Sequence, residues 1–442
     1  MTKMINLILC VDQNFGLGNN GKMAWKIKEE LNIFKTKTRN NVVIVGRKTY
    51  ENLPPLPDRT VLCVTNNPKN PYSIIKAIYD AQRLDKEVYV SGGKTVYDYV
   101  LKNYTNIKIH ISILNKQYDC DCFFDITHLN NFVIEKVDKY DDFVHYEMVK
   151  ATNTNHDVIY RSLISRVLKG NRRPNRTGID TLSLFNQNIE FNVSENFPLL
   201  TLKKVFTKGI FEELKFFISG SSDTKVLEDK KINIWKGNTS EEFLKNRKLD
   251  YQIGEMGPGY GWQWRHAGHD YIKLKDIDID NSKFGIDQLQ EAINLIKTDP
   301  YSRRIIVNSW NVKDLDKMAL PPCHYSYQFY CEDDDSLSIS VTMRSCDLFL
   351  GLPFNIASYA LLLYIISDIT NRKPRKISFN ICDAHIYVNH IEGCNEMLNN
   401  FMYKPCTLSF KKKIENIDDF DVDDIVITDY QSNKTIKADM AV

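Results

Sequence analysis

A thiol and several arginines from distant segments are the residues of this chain best suited to chemistry. Cys323 lies in Pro321-Pro322-Cys323-His324, directly before a predicted strand. The arginines are Arg172, Arg173, Arg176, Arg303, Arg304 and Arg344. Guanidinium groups bind phosphate oxygens bidentately, so the set indicates a site for one dianionic phosphate. A nearby guanidinium would lower the pKa of the Cys323 thiol and make it nucleophilic, although Pro-Cys-His alone is also typical of a buried structural cysteine.

Two of these arginines, Arg303 and Arg304, are adjacent. A strand is predicted over residues 304–310, and neighbouring side chains of a strand point to opposite faces. The pair would therefore not reach one phosphate of its own subunit from the same side. This geometry indicates that a neighbouring subunit uses the pair, which predicts a homodimer through the second part of the chain.

A carboxylate in the first part of the chain is a second candidate. Glu30 follows Trp25 and lies in a helix predicted over residues 26–36, beside Leu31 and Phe34. Apolar neighbours raise the pKa of a carboxyl, which suits acid catalysis or binding of a cationic heterocycle. Taken alone, such a glutamate is more often an ordinary residue of a helix surface.

Glycine turns form a third candidate site. Gly16-Leu17-Gly18, with Gly21, predicts a mobile loop after the first strand. Gly92-Gly93-Lys94-Thr95 and Gly46-Arg47-Lys48-Thr49 each follow a strand and precede a helix, so their backbone N–H groups could bind an anion. Either could be a plain turn, but both lie at the carboxyl ends of neighbouring strands, where ligands bind in open α/β sheets.

The elements that position these groups change in type along the chain. The first third predicts strands over 5–11, 41–45, 60–65, 87–90 and 107–113 around the helix at 26–36, which indicates an α/β domain with a largely parallel sheet. The rest predicts an α+β domain, with helices over 206–219, 285–297 and 358–369 and strands over 304–310, 324–331, 337–344 and 376–380. Polar composition near residue 150 predicts domains 1–150 and 157–442 joined by a short linker, 151–156.

Composition excludes several classes of protein. The 442 residues carry 58 basic and 56 acidic side chains. The net charge of +2 is too small to predict binding to nucleic acid. The longest apolar stretch, 360–366, is far shorter than the ~20 residues of a membrane span. The N-terminal patch lacks a cleavage site, and ten scattered cysteines indicate reduced thiols, so we expect a cytoplasmic protein. Cys120 and Cys122 alone are weak as a metal site, and we expect no metal.

The first part of the chain resembles dihydrofolate reductase over about residues 4–150. The matching words, in order, are Ile8-Leu9-Cys10-Val11, Gly16-Leu17-Gly18, Trp25, Glu30-Leu31-Asn32-Ile33-Phe34, Val45-Gly46-Arg47-Lys48-Thr49, Arg59, Gly92-Gly93 with Val96-Tyr97, and Asp121-Cys122-Phe123-Phe124. The resemblance implies that Glu30 holds the pteridine and supports protonation at N5 through water. It implies a folate site of Ile8, Cys10, Phe34, Leu53, Arg59 and Ser112. It implies an NADPH site of Gly16, Arg47, Lys48, Thr49, Thr65, Gly92, Gly93, Lys94 and Thr95.

The rest of the chain resembles thymidylate synthase over about residues 156–442. The longest matching words are Arg344-Ser345-Cys346-Asp347, Leu350-Gly351-Leu352-Pro353-Phe354-Asn355-Ile356-Ala357-Ser358-Tyr359, Ser302-Arg303-Arg304-Ile305-Ile306-Val307, Asp383-Ala384-His385-Ile386-Tyr387 and the terminal Met440-Ala441-Val442. The resemblance implies that Cys323 attacks C6 of dUMP while Glu213 and Tyr260 organise water and proton transfer. The implied dUMP contacts are Arg176, Arg303, Arg304, His324, Arg344, Ser345, Cys346, Asp347, Asn355, His385 and Tyr387. Trp235, Asn238, Gly351 and Val442 would shape the site for 5,10-methylenetetrahydrofolate.

Both halves depart from their families in places. Ala24 stands where a proline is usual, Ser112 replaces a threonine that orients the acid, and Cys10 replaces a small apolar residue. In the second half Met343, Lys236 and Gly259 replace a glutamine, an aspartate and a larger residue. None removes a group that the chemistry needs.

Together the halves resemble the bifunctional dihydrofolate reductase–thymidylate synthase family, which places the reductase first. Two alternatives stay open: a deoxycytidylate hydroxymethylase, which shares the synthase fold, and a pseudoenzyme acting as a dimeric nucleotide- or RNA-binding scaffold. Asn355 argues against the first, and intact Glu30 and Cys323 argue against the second.

Overall fold

A computed structural model describes residues 3–65, 72–276 and 285–439. The chain divides into two compact units. Unit 1 comprises Met1–Thr152 with Phe401–Lys404, and unit 2 comprises Asn153–Asn400 with Pro405–Val442. The predicted contact of Val442 with folate lies outside the described residues.

Unit 1 is built on an eight-stranded sheet. The strands of this unit, two of which lie outside the large sheet, are β1 (Ile5–Val11), β2 (Gly16–Gly18), β3 (Val42–Gly46), β4 (Thr60–Val64), β5 (Val88–Val90), β6 (Ile107–Leu114), β7 (Cys122–Phe123), β8 (Phe132–Lys139) and β9 (Phe143–Lys150). Its helices are α1 (Lys28–Thr38), α2 (Arg47–Tyr50), α3 (Ile74–Gln82) and α4 (Lys94–Asn103). The sheet order is Met402–Tyr403, β8, β9, β6, β1, β5, β3, β4, and β2 pairs with β7 apart from it.

The centre of this sheet is parallel and buried. β1 pairs in parallel with both β5 and β6, and β3 pairs in parallel with β4 and β5. Residues Val42, Val43, Ile44 and Val45 are fully buried because parallel strands are covered on both faces, which explains their uninterrupted apolar run. The predicted α/β class of the first part is confirmed.

Two features of unit 1 differ from the sequence prediction. Strands β8 and β9 were not predicted, and they pair antiparallel with each other and extend the sheet beside β6. Gly16 to Gly18 form a strand paired with Cys122–Phe123 instead of an irregular loop. Asp12 holds this strand, because its Oδ1 accepts the Gly16 N–H at 2.7 Å.

Unit 2 combines helices with a second sheet. Its helices are α5 (His156–Val167), α6 (Thr207–Ile218), α7 (Lys225–Glu228), α8 (Glu241–Asn246), α9 (Gly261–His266), α10 (Gln288–Thr298), α11 (Gly351–Ile369) and α12 (Ile391–Leu398). Its strands are β10 (Asn171–Arg173), β11 (Thr181–Asn192), β12 (Ile306–Asn308), β13 (His324–Cys331), β14 (Ser336–Met343), β15 (Cys346–Asp347), β16 (Lys373–Tyr387), β17 (Thr407–Phe410) and β18 (Ile425–Thr428). The large sheet has the order β10, β11, β16, β14, β13, β12, with β15 beside β16.

Helix α11 forms the core of unit 2. By length and composition it could cross a membrane, but 78% of its apolar window is buried inside the structure, as in the core helix of a globular domain. It begins at Gly351, seven residues before the predicted start, and Pro353 is tolerated there because the first turn of a helix needs no N–H donor at that position. Asp347 precedes the helix, and its Oδ1 accepts the Phe349 N–H at 2.9 Å.

Candidate active sites

Glu30 occupies a buried position in the first turn of α1. Its side chain is 5% exposed, and burial raises the pKa of its carboxyl to about 7. Burial first, and the Glu30 carboxylate second, also raise the pKa of the Cys10 thiol and of the Tyr97 phenol. These three groups therefore share one poorly solvated site, in which Glu30 can carry a proton near neutral pH.

The strands beneath Glu30 carry the predicted folate residues of unit 1. Ile8 and Cys10 lie on β1, and Cys10 is paired in register with Ser112 on β6. The Ser112 hydroxyl lies 3.0 Å from Nδ1 of His145, a partner that the sequence did not suggest. His145 thus fixes the hydroxyl that the sequence expects to orient the acid.

Arg59 is held at the end of α1 by three hydrogen bonds. Its Nε donates to Thr38 Oγ1 at 2.8 Å, and its Nη atoms donate to the carbonyls of Pro57 at 2.6 Å and Lys35 at 3.0 Å. A guanidinium has five N–H donors, so two remain for a ligand carboxylate. Phe34 and Leu53, the predicted apolar walls, are both partly exposed.

The two glycine turns lie side by side at the carboxyl ends of β3 and β5. The Gly46 N–H donates to the Gly92 carbonyl at 2.7 Å. Gly92 has φ +97°, and a Cβ on Gly93 would stand 3.2 Å from Thr49 Oγ1. No side chain caps the N-terminus of α2 or α4. The first N–H groups of both helices therefore have no side-chain acceptor among the described residues, which suits the phosphates of a dinucleotide.

The predicted cationic residues beside these turns have partners in their own helices. Arg47 pairs with Glu51 at 2.8 Å, and Lys94 pairs with Asp98 at 3.0 Å. Exposed pairs of this kind contribute little, so a phosphate can replace the carboxylates. Lys48 is exposed, Thr49 and Thr65 are partly exposed, and Gly16 lies in β2.

Cys323 stands directly before β13, between Tyr260 and Arg344. Its backbone N–H donates to Tyr260 Oη at 2.8 Å, and an Nη of Arg344 lies 3.8 Å from its Sγ. The Arg344 guanidinium is fixed by the carbonyls of Pro321 and Pro322, each at 2.9 Å. The two prolines before the cysteine therefore place a cation against the thiol.

The net effect on the thiol corrects the sequence prediction. The structure raises the pKa of Cys323, because burial outweighs the opposing effects of Arg344 and then Arg176. The predicted guanidinium neighbours are present, but the prediction that they lower the thiol pKa below its ordinary value is wrong.

Aromatic rings surround the thiol on the side of α6. Tyr260 stacks on Phe217 with ring centroids 4.8 Å apart and lies 4.6 Å from the ring of His324. Burial lowers the pKa of His324 to about 3, so the ring is neutral, and its Nδ1 lies 2.7 Å from Tyr359 Oη. This packing fixes the phenol that holds the Cys323 backbone.

A second carboxyl with a raised pKa lies next to these rings. Burial raises the pKa of Glu213 to about 7, and Trp235 Nε1 donates to Glu213 Oε1 at 2.8 Å. The Trp235 ring lies 5.8 Å from that of Tyr260, and Asn238 is buried in the turn that follows. Unit 2 thus brings together the predicted Cys323, Tyr260, Glu213 and Trp235.

The ends of β15 and β16 add further predicted residues. Burial raises the pKa of the Tyr387 phenol, Asp347 raises it further, and Arg176 opposes them, so these charges lie within reach of one another. The His385 ring lies edge-on to Tyr387 at 5.3 Å. Gly351 and Asn355 are neighbours in the first turns of α11, since a Cβ placed on Gly351 would lie 4.0 Å from Asn355 Oδ1.

Cys346, one of the predicted nucleotide contacts, is in the core. Its side chain is 3% exposed, and its thiol faces the Asp347 carbonyl at 3.7 Å. A contact between this side chain and a nucleotide is therefore not supported, whereas the neighbouring Ser345 is partly exposed.

Arg303 and Arg304 are not among the cations that act on the Cys323 thiol, which are Arg344 and Arg176. They lie in an exposed turn, and β12 begins only at Ile306, so the predicted strand over 304–310 is shorter and excludes them. The argument from alternating strand faces is therefore wrong for this pair. Within the described residues neither side chain forms an ion pair.

The sequence reasoning missed several residues that position the sites. Tyr359 lies one helical turn after Asn355 on α11, a spacing that could have indicated a shared face. Tyr97 donates from Oη to the Ile8 carbonyl at 2.8 Å and so links α4 to β1. Nothing in the sequence pattern indicated His145 as the partner of Ser112.

Comparison with known proteins assigns the two halves. The family model for dihydrofolate reductase matches residues 4–153, and that for thymidylate synthase matches residues 158–442. Bifunctional dihydrofolate reductase-thymidylate synthase of Paramecium tetraurelia is 35% identical over 463 residues, covering 100% of this chain and 99% of its own.

Further relatives with the same name come from distant organisms. That of Zea mays is 33% identical, covering 99% of this chain and 96% of its own, and that of Leishmania major is 32% identical, covering 100% and 95%. The chain belongs to the bifunctional dihydrofolate reductase–thymidylate synthase family.

Proposed function

We propose that the two sites carry the two reactions of this family, with the reductase in residues 1–150, a linker at 151–156 and the synthase in residues 157–442. The synthase converts dUMP and 5,10-methylenetetrahydrofolate to dTMP and dihydrofolate, and the reductase uses NADPH to return dihydrofolate to tetrahydrofolate. The observation that carries the residue assignment is the placement of Cys323 between Tyr260 and Arg344. One assay that contains all three substrates and follows dTMP and NADPH together tests it.

In the synthase, Cys323 supplies the nucleophile. Its thiol proton leaves to the surrounding polar network, and the sulfur then forms a bond to C6 of the uracil ring. The C5–C6 double bond breaks in this step, and its electron pair moves to C5 and the C4 carbonyl oxygen, which leaves C5 nucleophilic toward the methylene group of the folate. Glu213, whose pKa is about 7, can exchange a proton at neutral pH and is held in place by Trp235. Arg344 and Arg176, with Ser345, bind the nucleotide phosphate, and His385 and Tyr387 hold the ribose hydroxyl.

In the reductase, Glu30 supplies the acid. The protonated carboxyl supports protonation at N5 of the pterin through water, while Arg59 offers its two remaining donors to the folate carboxylate. NADPH, when bound, supplies the hydride. The Gly92–Thr95 turn with Lys48, Thr49 and Thr65 would hold it. The absence of a Cβ at Gly93 keeps the turn close to Thr49, because a Cβ there would lie 3.2 Å from Thr49 Oγ1.

Asn355 should set the choice of base. Its amide offers one donor and one acceptor, which match the C4 carbonyl and N3–H of uracil, whereas cytosine presents the reverse pattern. Two unsatisfied buried groups cost about 2–6 kcal/mol, a preference of about 30-fold to 10⁴-fold for dUMP over dCMP. We expect Asn355→Asp to lose dUMP turnover and to gain binding or activity with dCMP, measured as kcat/KM for each nucleotide.

The control for this variant is Asn371→Asp, which makes the same chemical change just after α11. It should keep the preference for dUMP. Equal wild-type turnover of dUMP and dCMP would contradict the assignment of Asn355 and revive the hydroxymethylase alternative.

We further propose that the protein is a homodimer through the synthase domain. Support comes from the outward face of β12 and β13, where Ile306 is 44% and Tyr330 is 64% exposed while their neighbours Val307 and Phe329 are buried. Arg303 and Arg304 are exposed beside this face. A second copy would cover the apolar side chains and receive the two guanidinium groups at its phosphate site.

Mixed dimers test this arrangement. A Cys323→Ser chain and a chain with Arg303→Ala and Arg304→Ala should each be inactive as a synthase alone. After mixing, some dimers combine an intact thiol with intact partner arginines, so up to about a quarter of the wild-type activity should return. Two Cys323→Ser preparations mixed together serve as the control. A monomer by sedimentation at all working concentrations would refute the proposal.

A cytoplasmic location belongs to the same proposal. The ten cysteines are all free thiols, which suits a reducing compartment.

A further inference from the structure

Three side chains with metal-ligating atoms meet on the sheet of unit 1. His110 lies on β6, and His145 and Glu147 lie on β9, with His110 directly opposite Glu147 in the register. One ligand atom from each side chain lies within 4.8 Å of the other two. The two histidines are only 3% and 2% exposed. The residues come from two strands, so their spacing along the chain gave no sign of the cluster.

Two buried ring nitrogens in this cluster have no hydrogen-bond partner among the described residues. They are His110 Nδ1 and His145 Nε2, and Glu147 Oε1 lies 3.9 Å from His110 Nδ1, beyond hydrogen-bond distance. A buried nitrogen in a folded protein almost always has a partner, so each unpaired atom needs an explanation. The two rings are nearly parallel, with an interplanar angle of 14°. A cation reached by the in-plane lone pairs of both nitrogens, at the edges of the rings, would supply a partner for each.

The opposite nitrogen of each ring is hydrogen-bonded. His110 Nε2 lies 3.3 Å from Asn6 Oδ1, and the Asn6 amide is oriented by donating to the Val88 carbonyl at 3.4 Å. Asn6 Oδ1 can only accept, so His110 carries its proton on Nε2 and presents a lone pair at Nδ1. His145 Nδ1 lies 3.0 Å from the Ser112 hydroxyl. Metal-binding histidines are oriented by outer hydrogen bonds of this kind.

We propose that His110 Nδ1, His145 Nε2 and a carboxylate oxygen of Glu147 bind one divalent zinc-class cation, with water as the fourth ligand. Zinc takes two histidines and one glutamate in this way, with Zn–N distances of about 2.0–2.1 Å. Tetrahedral ligands at that distance stand about 3.3–3.4 Å apart. The present spacing of up to 4.8 Å therefore requires the side chains to close by about 1.4 Å at most.

Two lysine ammonium groups would compete with a bound cation for the Glu147 carboxylate. Lys37 Nζ lies 2.7 Å from Glu147 Oε1, and Lys108 Nζ lies 2.8 Å from Oε2. Lys108 also pairs with Glu135 at 3.2 Å, so it keeps a partner when a cation binds. Lys37 must withdraw, and its side chain is already 25% exposed.

The site has an entry path. A groove of about 740 Å³ is lined by Lys37, Lys108, His110 and Glu147 among others. A cation from solvent can therefore reach the side chains of His110 and Glu147.

The proposal is tested on the full chain with Zn²⁺ alone. Equilibrium dialysis with metal analysis should show one zinc per chain more in the wild type than in His145→Gln or Glu147→Gln. His128→Gln is the matched control, since His128 lies in the same unit but pairs with Asp98 away from the cluster. It should bind as much zinc as the wild type. Equal binding by wild type and His145→Gln would overturn the proposal.

Two further measurements keep the test decisive if a buried variant does not fold. X-ray absorption of the zinc-loaded wild type should show only nitrogen and oxygen at about 2.0–2.1 Å, whereas sulfur at about 2.3 Å would place the metal on cysteines and overturn the site. Lys37→Met removes the competing ammonium and should tighten zinc binding by about fivefold, the effect of one partly exposed ion pair. Unchanged or weaker binding in Lys37→Met would also contradict the proposal.

Discussion

Replacing Cys323 with serine should abolish dTMP formation and leave dihydrofolate reduction intact. The Arg344 guanidinium lies 3.8 Å from the sulfur, and together with Arg176 it favours the thiolate against burial. A serine hydroxyl ionises far less readily than a thiol, so the same cations cannot make it an effective nucleophile at neutral pH. Loss of a nucleophile from a catalytic unit costs on the order of 10⁴–10⁶ in kcat. Radiolabel release from C5 of dUMP measures the synthase, and NADPH absorbance measures the reductase.

The matched control is Cys382→Ser, because Cys382 is an exposed cysteine of the same unit. It should keep both activities. Synthase turnover within tenfold of the wild type in Cys323→Ser would remove Cys323 from its assigned role. Loss of both activities together would indicate misfolding, which circular dichroism of the variant distinguishes.

Replacing Glu30 with alanine should reduce dihydrofolate reduction by about 10²–10⁴-fold, the usual contribution of a general acid. The apolar walls of the pocket would remain, but the group that carries a proton near neutral pH would be lost. Burial raises the pKa of this carboxyl to about 7, so its charged form predominates above that pH. The wild-type reductase rate should therefore fall about tenfold per pH unit above about 7, and this fall should be absent from the residual activity of Glu30→Ala.

Glu29→Ala is the control, since Glu29 precedes Glu30 in the same helical turn but is exposed. Its pH profile and rate should match the wild type, and dTMP synthesis should persist in both variants. A Glu30→Ala enzyme that reduces dihydrofolate at a near wild-type rate would require a different acid.

The parts of the fold that the sequence predicted well are those with one simple pattern. Strand β1 has the predicted bounds because all its neighbours are parallel strands and both faces are apolar. Strands β8 and β9 were missed because charged residues interrupt them and the register shifts between Ile134 and Lys136. Strand β16 extends beyond the predicted 376–380 on both sides, through Pro374 and Asp383, which do not read as strand residues.

The residues of the candidate sites were likewise predicted where a local sequence pattern marks them. Glu30 and Cys323 stand in recognisable local patterns. The burial of Glu30 and the guanidinium of Arg344 beside Cys323 agree with the predictions made from those patterns. The balance between burial and charge at Cys323 could not be predicted, because it depends on how completely the tertiary structure buries the thiol. The exposed turn of Arg303 and Arg304 depended on where β12 begins, and strand ends are poorly fixed by local sequence.

Helix α11 packs against a strand that the ribosome synthesises after it. It packs against α6 and β14, which precede it in the chain, and against β16, which follows it. At about 5–20 residues per second, the ribosome needs roughly one to four seconds to add the 18 residues that end β16. For an interval of that length, α11, the most apolar of the described helices, lacks the strand that covers one of its sides. Slowing translation when α11 has emerged from the ribosome and β16 has not should therefore increase aggregation of newly made protein, while slowing it after both have emerged should not.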